Sequence, residues 1–402
     1  MKGFLKSSLK WLAILLVGLP LSLYLLLVVI NLVDEEKSPL VLEFEQTLEQ
    51  ISQVPDEDNA FIFFMGIEAP EGADVLAEGI KNTGLLSKNP RYQAYEKILP
   101  DINLLEDEHY QIISECKEVS YDREQCSKSL YAKKQEIDAL LNDTKLLQSR
   151  YEAMSTLNAW HEIIPENTSH GVIGDYFLLE KLFNLRMLSI WRNAERNSLA
   201  STLAAIKQEA MFRKMVIMSS HTRMGRTLVF SKYENFLRWV NIILADLSLP
   251  LGSITNLETV LPTLEPGPDP ALIALGEWQF ASAFFKQVFN ASENQDNKSE
   301  MILWYIVKGI INEQATKNLL TKILSIKYKQ PTDKQALLEL QQQCEYSLLN
   351  SLFWFPYNLA GKSILCTDVN EPEGYIENMN TTLEQSELLR TDIIEKFGRP
   401  SY

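Results

Sequence analysis

The sequence predicts an all-α protein: an N-terminal transmembrane helix followed by a helical extracytoplasmic body. Three observations carry that expectation. Apolar residues recur at helical spacing through most of the chain, as in the stripe Ile137, Leu140, Leu141, Leu147, Tyr151 and Met154. Strict alternation of apolar and polar residues, the mark of a half-buried strand, is nearly absent. The run from Trp11 to Val33 contains no charged residue, and about 20 mostly apolar residues suffice for a helix to span a bilayer.

The flanks of that run set its direction. Lys2, Lys6 and Lys10 precede it; Asp34, Glu35 and Glu36 follow. Positive charge stays on the cytoplasmic side, so the N-terminus is expected inside and the body outside. A cleavable signal would have a shorter core of about 7–15 residues and a small-residue cleavage site. Asn31-Leu32-Val33-Asp34 offers no such site, which favours a retained anchor. Pro20 lies within the run, and membrane helices tolerate proline better than soluble ones.

Beyond the anchor, Leu40 to Ile51 has helical spacing in its second half, and Pro55 to Asn59 ends it. Ala60 to Gly66 is a short apolar run of the buried type, and Gly66 to Asp74 is a turn-rich loop leading to a helix at Val75–Lys81. Helical patterns follow at Asn103–Val119 and from Ser127 to about Leu157. Asp175 is placed to cap a helix carrying Phe177, Leu178, Leu182, Leu185, Leu188 and Trp191. After the connection Arg192–Asn197, Ser198 is placed to cap a second long helix, which makes a hairpin. Leu249 to Pro270 holds Pro250, Pro262, Pro266, Pro268 and Pro270 and is the clearest internal boundary. Helices are expected again at Ala271–Phe289, Met301–Ile326 and Asp333–Leu349, with a loop over Asn290–Glu300 and an irregular apolar segment over Phe353–Gly361. The resulting plan is 1–10 cytoplasmic, 11–33 transmembrane, 34–248 a helical periplasmic domain, 249–270 a proline-rich linker and 271–402 a C-terminal helical region.

Hydrophobic residues make up 46% of the chain, enough to supply a core, and the formal charge is −15. Without the three anchor lysines the body has 35 bases against 53 acids, a balance of −18. So acidic a body argues against nucleic-acid binding, which depends on Lys and Arg neutralising phosphates. Cys116, Cys126, Cys344 and Cys366 are an even number in a chain expected to face an oxidising space. Local pairing, Cys116 with Cys126 and Cys344 with Cys366, closes the shortest loops; four buried thiols are the alternative. Zinc is disfavoured because no Cys-x-x-Cys and no nearby histidine at ligand spacing accompany them.

Several islands of sequence carry a resemblance. They are Asn59-Ala60-Phe61-Ile62-Phe63-Phe64-Met65-Gly66-Ile67-Glu68-Ala69-Pro70 with Asp74 and Gly79, the first two-cysteine segment, and Leu146-Leu147-Gln148-Ser149-Arg150-Tyr151. Lys214-Met215-Val216 and Gly361-Lys362-Ser363-Ile364-Leu365-Cys366 complete the set. With the anchor, this combination resembles a loosely defined group of uncharacterised membrane-anchored proteins of Gram-negative bacteria. The resemblance implies an envelope location and no activity.

No stretch specifies a reaction. Gly361-Lys362-Ser363 lacks the earlier glycine of a phosphate loop, because Pro356 stands there and has no N–H. His161-Glu162-Ile163-Ile164-Pro165 begins like a zinc-protease helix, but Pro165 replaces the second histidine; a loop histidine near Trp160 is the plainer expectation. Ser219, Ser220, His221 and Asp175 are the residue types of a hydrolase triad, without any Gly-x-Ser-x-Gly elbow. No cofactor or metal is implied.

Charge is unevenly spread. Between Arg186 and Arg238 lie ten bases (Arg186, Arg192, Arg196, Lys207, Arg213, Lys214, Arg223, Arg226, Lys232, Arg238) against Glu195, Glu209 and Glu234. The bland expectation is a solvated helix, or bases facing the acidic stretch Asp34–Asp58. The functional one is a cationic face, Arg213, Lys214, Arg223 and Arg226, for an anionic lipid or acidic envelope protein. The expected role is a non-catalytic interaction or assembly module, anchored in the bacterial inner membrane with its body in the periplasm. An envelope hydrolase with a non-motif active site and a binder of apolar ligands stay open as alternatives.

Overall fold

In the computed structural model the described residues are 14–88, 123–164, 175–248, 250–267, 269–290, 305–329, 333–344, 357–369 and 374–398. The chain is predominantly helical. Among the described residues there is no strand, only isolated bridges at Asn59–Ala159 and Ile254–Gly398. The helices are α1 (Leu19–Ile30), α2 (Pro39–Ile51), α3 (Ala60–Met65), α4 (Val75–Lys88), α5 (Arg123–Ala132), α6 (Lys134–Asp143) and α7 (Lys145–Met154). There follow α8 (Tyr176–Ala194), α9 (Leu199–Ser219), α10 (Arg223–Ser231), α11 (Tyr233–Asp246), α12 (Leu257–Val260) and α13 (Pro270–Asn290). The last are α14 (Glu313–Leu324), α15 (Lys334–Cys344), α16 (Leu359–Val369) and α17 (Gly374–Phe397).

Two compact units interleave along the chain: Met1–Glu49 with Ala281–Glu373, and Gln50–Phe280 with Gly374–Tyr402. In the first unit, a π-helical turn over Ile14–Gly18 leads into α1. The expected span ran to Val33, but α1 ends at Ile30. Asn31 stops it by donating its amide nitrogen to the Leu27 carbonyl at 2.7 Å while its backbone N–H bonds the Leu27 and Val28 carbonyls. Among the described residues no helix is long and apolar enough to cross a membrane. No side chain of α1 is buried, and Leu19, Leu21, Leu23, Leu25, Leu26 and Val29 are all more than half exposed.

The acids after the run have a local task. The Asp34 carboxylate accepts from the backbone N–H groups of Gln314 (2.8 Å) and Ala315 (3.0 Å), satisfying free donors in the first turn of α14. Asn318 on α14 donates to the Glu35 carboxylate and the Glu36 carbonyl and accepts from the Ser38 N–H. Asn358 accepts from Asn312 N–H and the Thr316 hydroxyl, and its own N–H donates to Asn31 Oδ1. Cys344 and Cys366 are disulfide-bonded and join α15 to α16, with Cα atoms 5.2 Å apart. Cys126 is buried; Cys116, its expected partner, lies outside the described residues. The expected helix at Asn103–Val119 and the loop over 291–300 also lie outside them.

The second unit is built on the α8–α9 hairpin. Asp175 accepts from Leu178 N–H and Ser198 from Ser201 N–H, so both expected caps are present. The helix read as continuous from Ser127 to Leu157 is divided into α5, α6 and α7, with joints at Lys133 and Thr144. Thr144 is fully buried and donates its hydroxyl back to the Leu140 carbonyl at 2.7 Å, a bond that bends helices. The core is aromatic: Trp160 meets Phe61, Phe64 and Phe212, and Tyr151 meets Phe183 and Phe212, all with ring centroids within 6.4 Å. Each such side chain, fully buried, contributes about 1.5–3 kcal/mol of transfer free energy.

The segment read as a linker packs onto this unit through a set of buried leucines, while other residues of it are exposed. Leu257, Leu261 and Leu264 are fully buried. Helix α17, which the sequence reading missed, lines it: Arg390 Nε donates to the Leu261 carbonyl, Leu264 N–H donates to Glu387, and Gly252 and Ile254 N–H donate to the Lys396 and Phe397 carbonyls.

Two glycines set how closely α3 and α4 pack. A Cβ on Gly66 would lie 1.9 Å from the Val75 carbonyl oxygen, and one on Gly79 would lie 2.0 Å from that of Ile62. Both obstacles are backbone, so the helices would have to separate. Gly66→Ala or Gly79→Ala should lower urea-unfolding stability by roughly 1–3 kcal/mol. Gly84, also in α4, meets nothing within 4 Å; Gly84→Ala should be neutral or add up to about 1 kcal/mol. Equal effects at the three positions would refute this account of the crossing.

Candidate functional site

The densest polar group in the second unit gathers where residues 159–164 cross the turn between α9 and α10. Asn59 organises one side: its Oδ1 accepts from Phe61 N–H, capping α3, and from His161 N–H at 2.9 Å, while its amide nitrogen donates to the His161 carbonyl. Next in sequence, Glu162 is 2% exposed. Its carboxylate accepts from His221 N–H (2.9 Å), Thr222 N–H (2.7 Å), the Thr222 hydroxyl (3.0 Å) and the Tyr176 hydroxyl. Thr222 in turn caps α10 by accepting from Gly225 N–H. The His161 and His221 rings stack, with centroids 5.1 Å apart.

Burial governs the protonation of this cluster. It pushes Glu162 up to about 7, against the lowering pull of the Thr222 and His221 donors and the Arg226 charge. It also brings both histidines down to about 4, helped at His161 by His221 and at His221 by Arg226. Both imidazoles are therefore neutral near pH 7.

The arrangement differs from the expected triad in its acid and its serine. The acid beside His221 is Glu162, whose Oε2 lies 3.6 Å from Nδ1; Asp175 instead caps α8. Ser220 is fully buried and its hydroxyl has no protein partner, so no bond joins it to His221. The crevice bordering Tyr176, lined by Leu179, Phe183, Val229 and Lys232 among others, has no room for a water molecule. The expected loop histidine near Trp160 is thus an interior residue that ties one chain crossing to the next. Gly361-Lys362-Ser363 lies within α16, with Gly361 against Thr316 and Asn358 and Lys362 buried near the Tyr357 ring.

The four bases read as a cationic face do not form one. Arg213 is 3% exposed: Nε bonds Glu209 at 2.6 Å, Nη2 donates to the Phe183 carbonyl, and the guanidinium lies over the Phe183 ring at 4.1 Å. Tyr151 donates to both oxygens of the same Glu209 at 2.9 Å. Arg226 is fully buried and donates to the Asp269 carbonyl at 2.9 Å. Half-buried Lys214 donates to the Thr263 carbonyl at 2.6 Å, and Arg223 alone of the four is exposed. The reason is local demand: a charged pair in the core must be mutual, and irregular proline-rich backbone needs donors for its carbonyls. Neighbouring bases behave similarly. Arg192 spans Asp138 and Glu195, Lys134 bonds Glu195, and Lys232 lies 3.2 Å from Glu180.

One open depression of about 330 Å³ is lined by Tyr131, Trp191, Glu195, Asn197, Asp246 and apolar neighbours. Asp246 accepts there from Trp191 Nε1 and the Ser127 hydroxyl, both at 2.8 Å. Its carboxylates are already held by internal donors. Among the described residues no group of three or more His, Cys, Asp or Glu side chains could hold a metal ion. Comparison with family models, curated proteins and solved structures finds no match.

Two outcomes follow from these placements. Arg213→Glu sets two carboxylates against each other in the core and should cost about 3–5 kcal/mol in urea unfolding, while Arg223→Glu should stay within about 0.5 kcal/mol. Equal, small effects would restore the surface-face account.

The histidines of the cluster take up protons on unfolding between about pH 4 and 6.5, so they make stability rise with pH there. Glu162 opposes them, because the folded state holds its proton between about 4.5 and 7 while the unfolded chain does not. Removing that opposition by Glu162→Gln should increase net proton uptake on unfolding by about one between pH 5 and 6, read as a steeper pH dependence of stability. An unchanged slope would refute the assignment.

Proposed function

We propose that the chain is a single-pass, N-in membrane protein whose body serves in the periplasm as a non-catalytic interaction or assembly module of the cell envelope. The observation that carries this reading is α1. A helix apolar on every face is stable only in a protein core or a bilayer, and α1 buries no side chain. Lys2, Lys6 and Lys10 before it and the acids after it give the direction. The Cys344–Cys366 bridge suits an oxidising compartment.

Non-catalytic status is favoured by the interior position of the catalysis-type side chains. His161, Glu162, Ser220 and His221 are all below a tenth exposed, and the Glu162 carboxylate is taken up by the backbone N–H groups of the turn at His221 and Thr222. The fixed junction at Asp34, Asn318 and Asn358 would tie α1 to the rest of the first unit, as a scaffold held at a set attitude to the bilayer requires.

Two measurements on the full chain test the location. In a Gram-negative host, the protein should stay in the membrane pellet after alkaline carbonate extraction, and alkaline phosphatase fused after Tyr402 should be active. Extraction into the supernatant, or an inactive fusion alongside a fluorescent cytoplasmic one, would overturn it.

A further inference from the structure

The first unit presents a short turn alongside α1, Tyr305-Ile306-Val307-Lys308, apolar except for its exposed Lys308. Residues 305–308 form a helical turn, followed by non-helical residues up to α14. Tyr305 is 55% exposed and Ile306 44% exposed. Their place is fixed by two contacts. The Tyr24 hydroxyl, halfway along α1, donates to the Ile306 carbonyl at 3.3 Å. Gly309 packs on the same face, where a Cβ would lie 2.7 Å from the Tyr24 hydroxyl and 3.0 Å from Val28 Cγ2.

Depth follows from helix geometry. Tyr24 precedes the end of α1 at Ile30 by six residues, which is about 9 Å along the axis at 1.5 Å per residue. Asn31 and Asp34 are the first polar side chains beyond it. If α1 spans the bilayer, the segment touching Tyr24 lies below the level of the headgroups, at the depth that interfacial segments reach. Exposed Lys308 is long enough to carry its ammonium to the headgroups along its apolar stem. A tyrosine hydroxyl and an unpaired backbone carbonyl are both costly in hydrocarbon, and here each satisfies the other. A glycine at the contact allows the close approach that membrane helices use in place of hydrophobic attraction.

We propose that Tyr305, Ile306 and the turn ending at Gly309 form a second membrane contact, inserted among the acyl chains of the outer leaflet beside α1. This rests on the anchor reading above and goes further, because it gives the body itself a lipid-facing surface. The partner is bilayer lipid; a protein occupant is an outcome of the test.

The test uses the full, disulfide-bonded chain in vesicles of phosphatidylethanolamine and phosphatidylglycerol, carrying one added cysteine labelled with an environment-sensitive fluorophore. Labels replace Ile306, Tyr305 or, as a reporter of the anchor, Val17. Insertion predicts that all three labels emit to the blue, are quenched by nitroxide-bearing lipids and lose iodide quenching. A Val17 label in lipid with both 305 and 306 open to iodide overturns this proposal and leaves the anchor standing. Should none of the three be quenched by nitroxide lipid, the anchor reading fails and this one with it. Blue emission at 305 and 306 without lipid quenching means a protein covers the segment, which also overturns it. Gly309→Leu, which wedges the turn off α1, should return the 306 label to iodide while leaving Val17 in lipid; unchanged lipid quenching at 306 would overturn the role of the Tyr24 contact.

Discussion

A polypeptide segment with proline at 250, 262, 266, 268 and 270 cannot satisfy its own backbone. Its described residues form little regular structure, yet Ile254, Leu257, Leu261 and Leu264 are buried in the second unit, where an orphaned carbonyl costs as much as a lost hydrogen bond. Donors must therefore come from the surrounding helices. Arg390 supplies Leu261, Tyr233 supplies Pro262, Lys214 supplies Thr263 and Arg226 supplies Asp269. Among the bases of residues 186–238, Lys214 and Arg226 meet this internal demand and Arg213 pairs with Glu209. The same demand fixes where α9, α10, α11 and α17 must lie, since each contributes one of the donors.

The polar cluster around Glu162 obeys the same logic from the acceptor side. The turn between α9 and α10 leaves the N–H groups of His221 and Thr222 pointing inward, and one buried carboxylate takes both. Tyr176 adds a donor from α8, so three elements meet on one side chain. Here the stacked histidines remain neutral because burial disfavours their charge, reinforced by His221 at His161 and by Arg226 at His221.

How much of this was legible varies with the range of the interaction. Helix positions and caps are local, and Asp175 and Ser198 announced theirs. Short-range bending was not: nothing in the spacing from Ser127 to Leu157 shows that Thr144 will bond back to Leu140. Helix α17 was overlooked because its buried positions among the described residues, Met379, Ser386, Ile393 and Phe397, are few, and one of them is polar. Prolines were read as marking a boundary, since a breaker between helices has the same composition whether it lies outside or is threaded through a core. The fate of the bases was illegible for a related reason. Net charge says that a partner is needed, and Arg213 finds it four residues away in Glu209, while Arg226 finds its partner in a distant carbonyl. His161 and Glu162 carried one overlooked signal: an adjacent pair of polar residues after Trp160, in a stretch otherwise made of Ile163 and Ile164.

The interleaving of the two units has a consequence for the order of synthesis. The first unit draws on residues before Glu49 and after Ala281, and the second on residues from Gln50 to Phe280 and again from Gly374 onward. Neither can close while the ribosome is still partway along the chain. Asp34 waits for Gln314 and Ala315, and Leu261 waits for Arg390. At about 5–20 residues per second, the apolar α1 is made many seconds before the residues that cap its junction. During that interval it must be held by something other than its own fold.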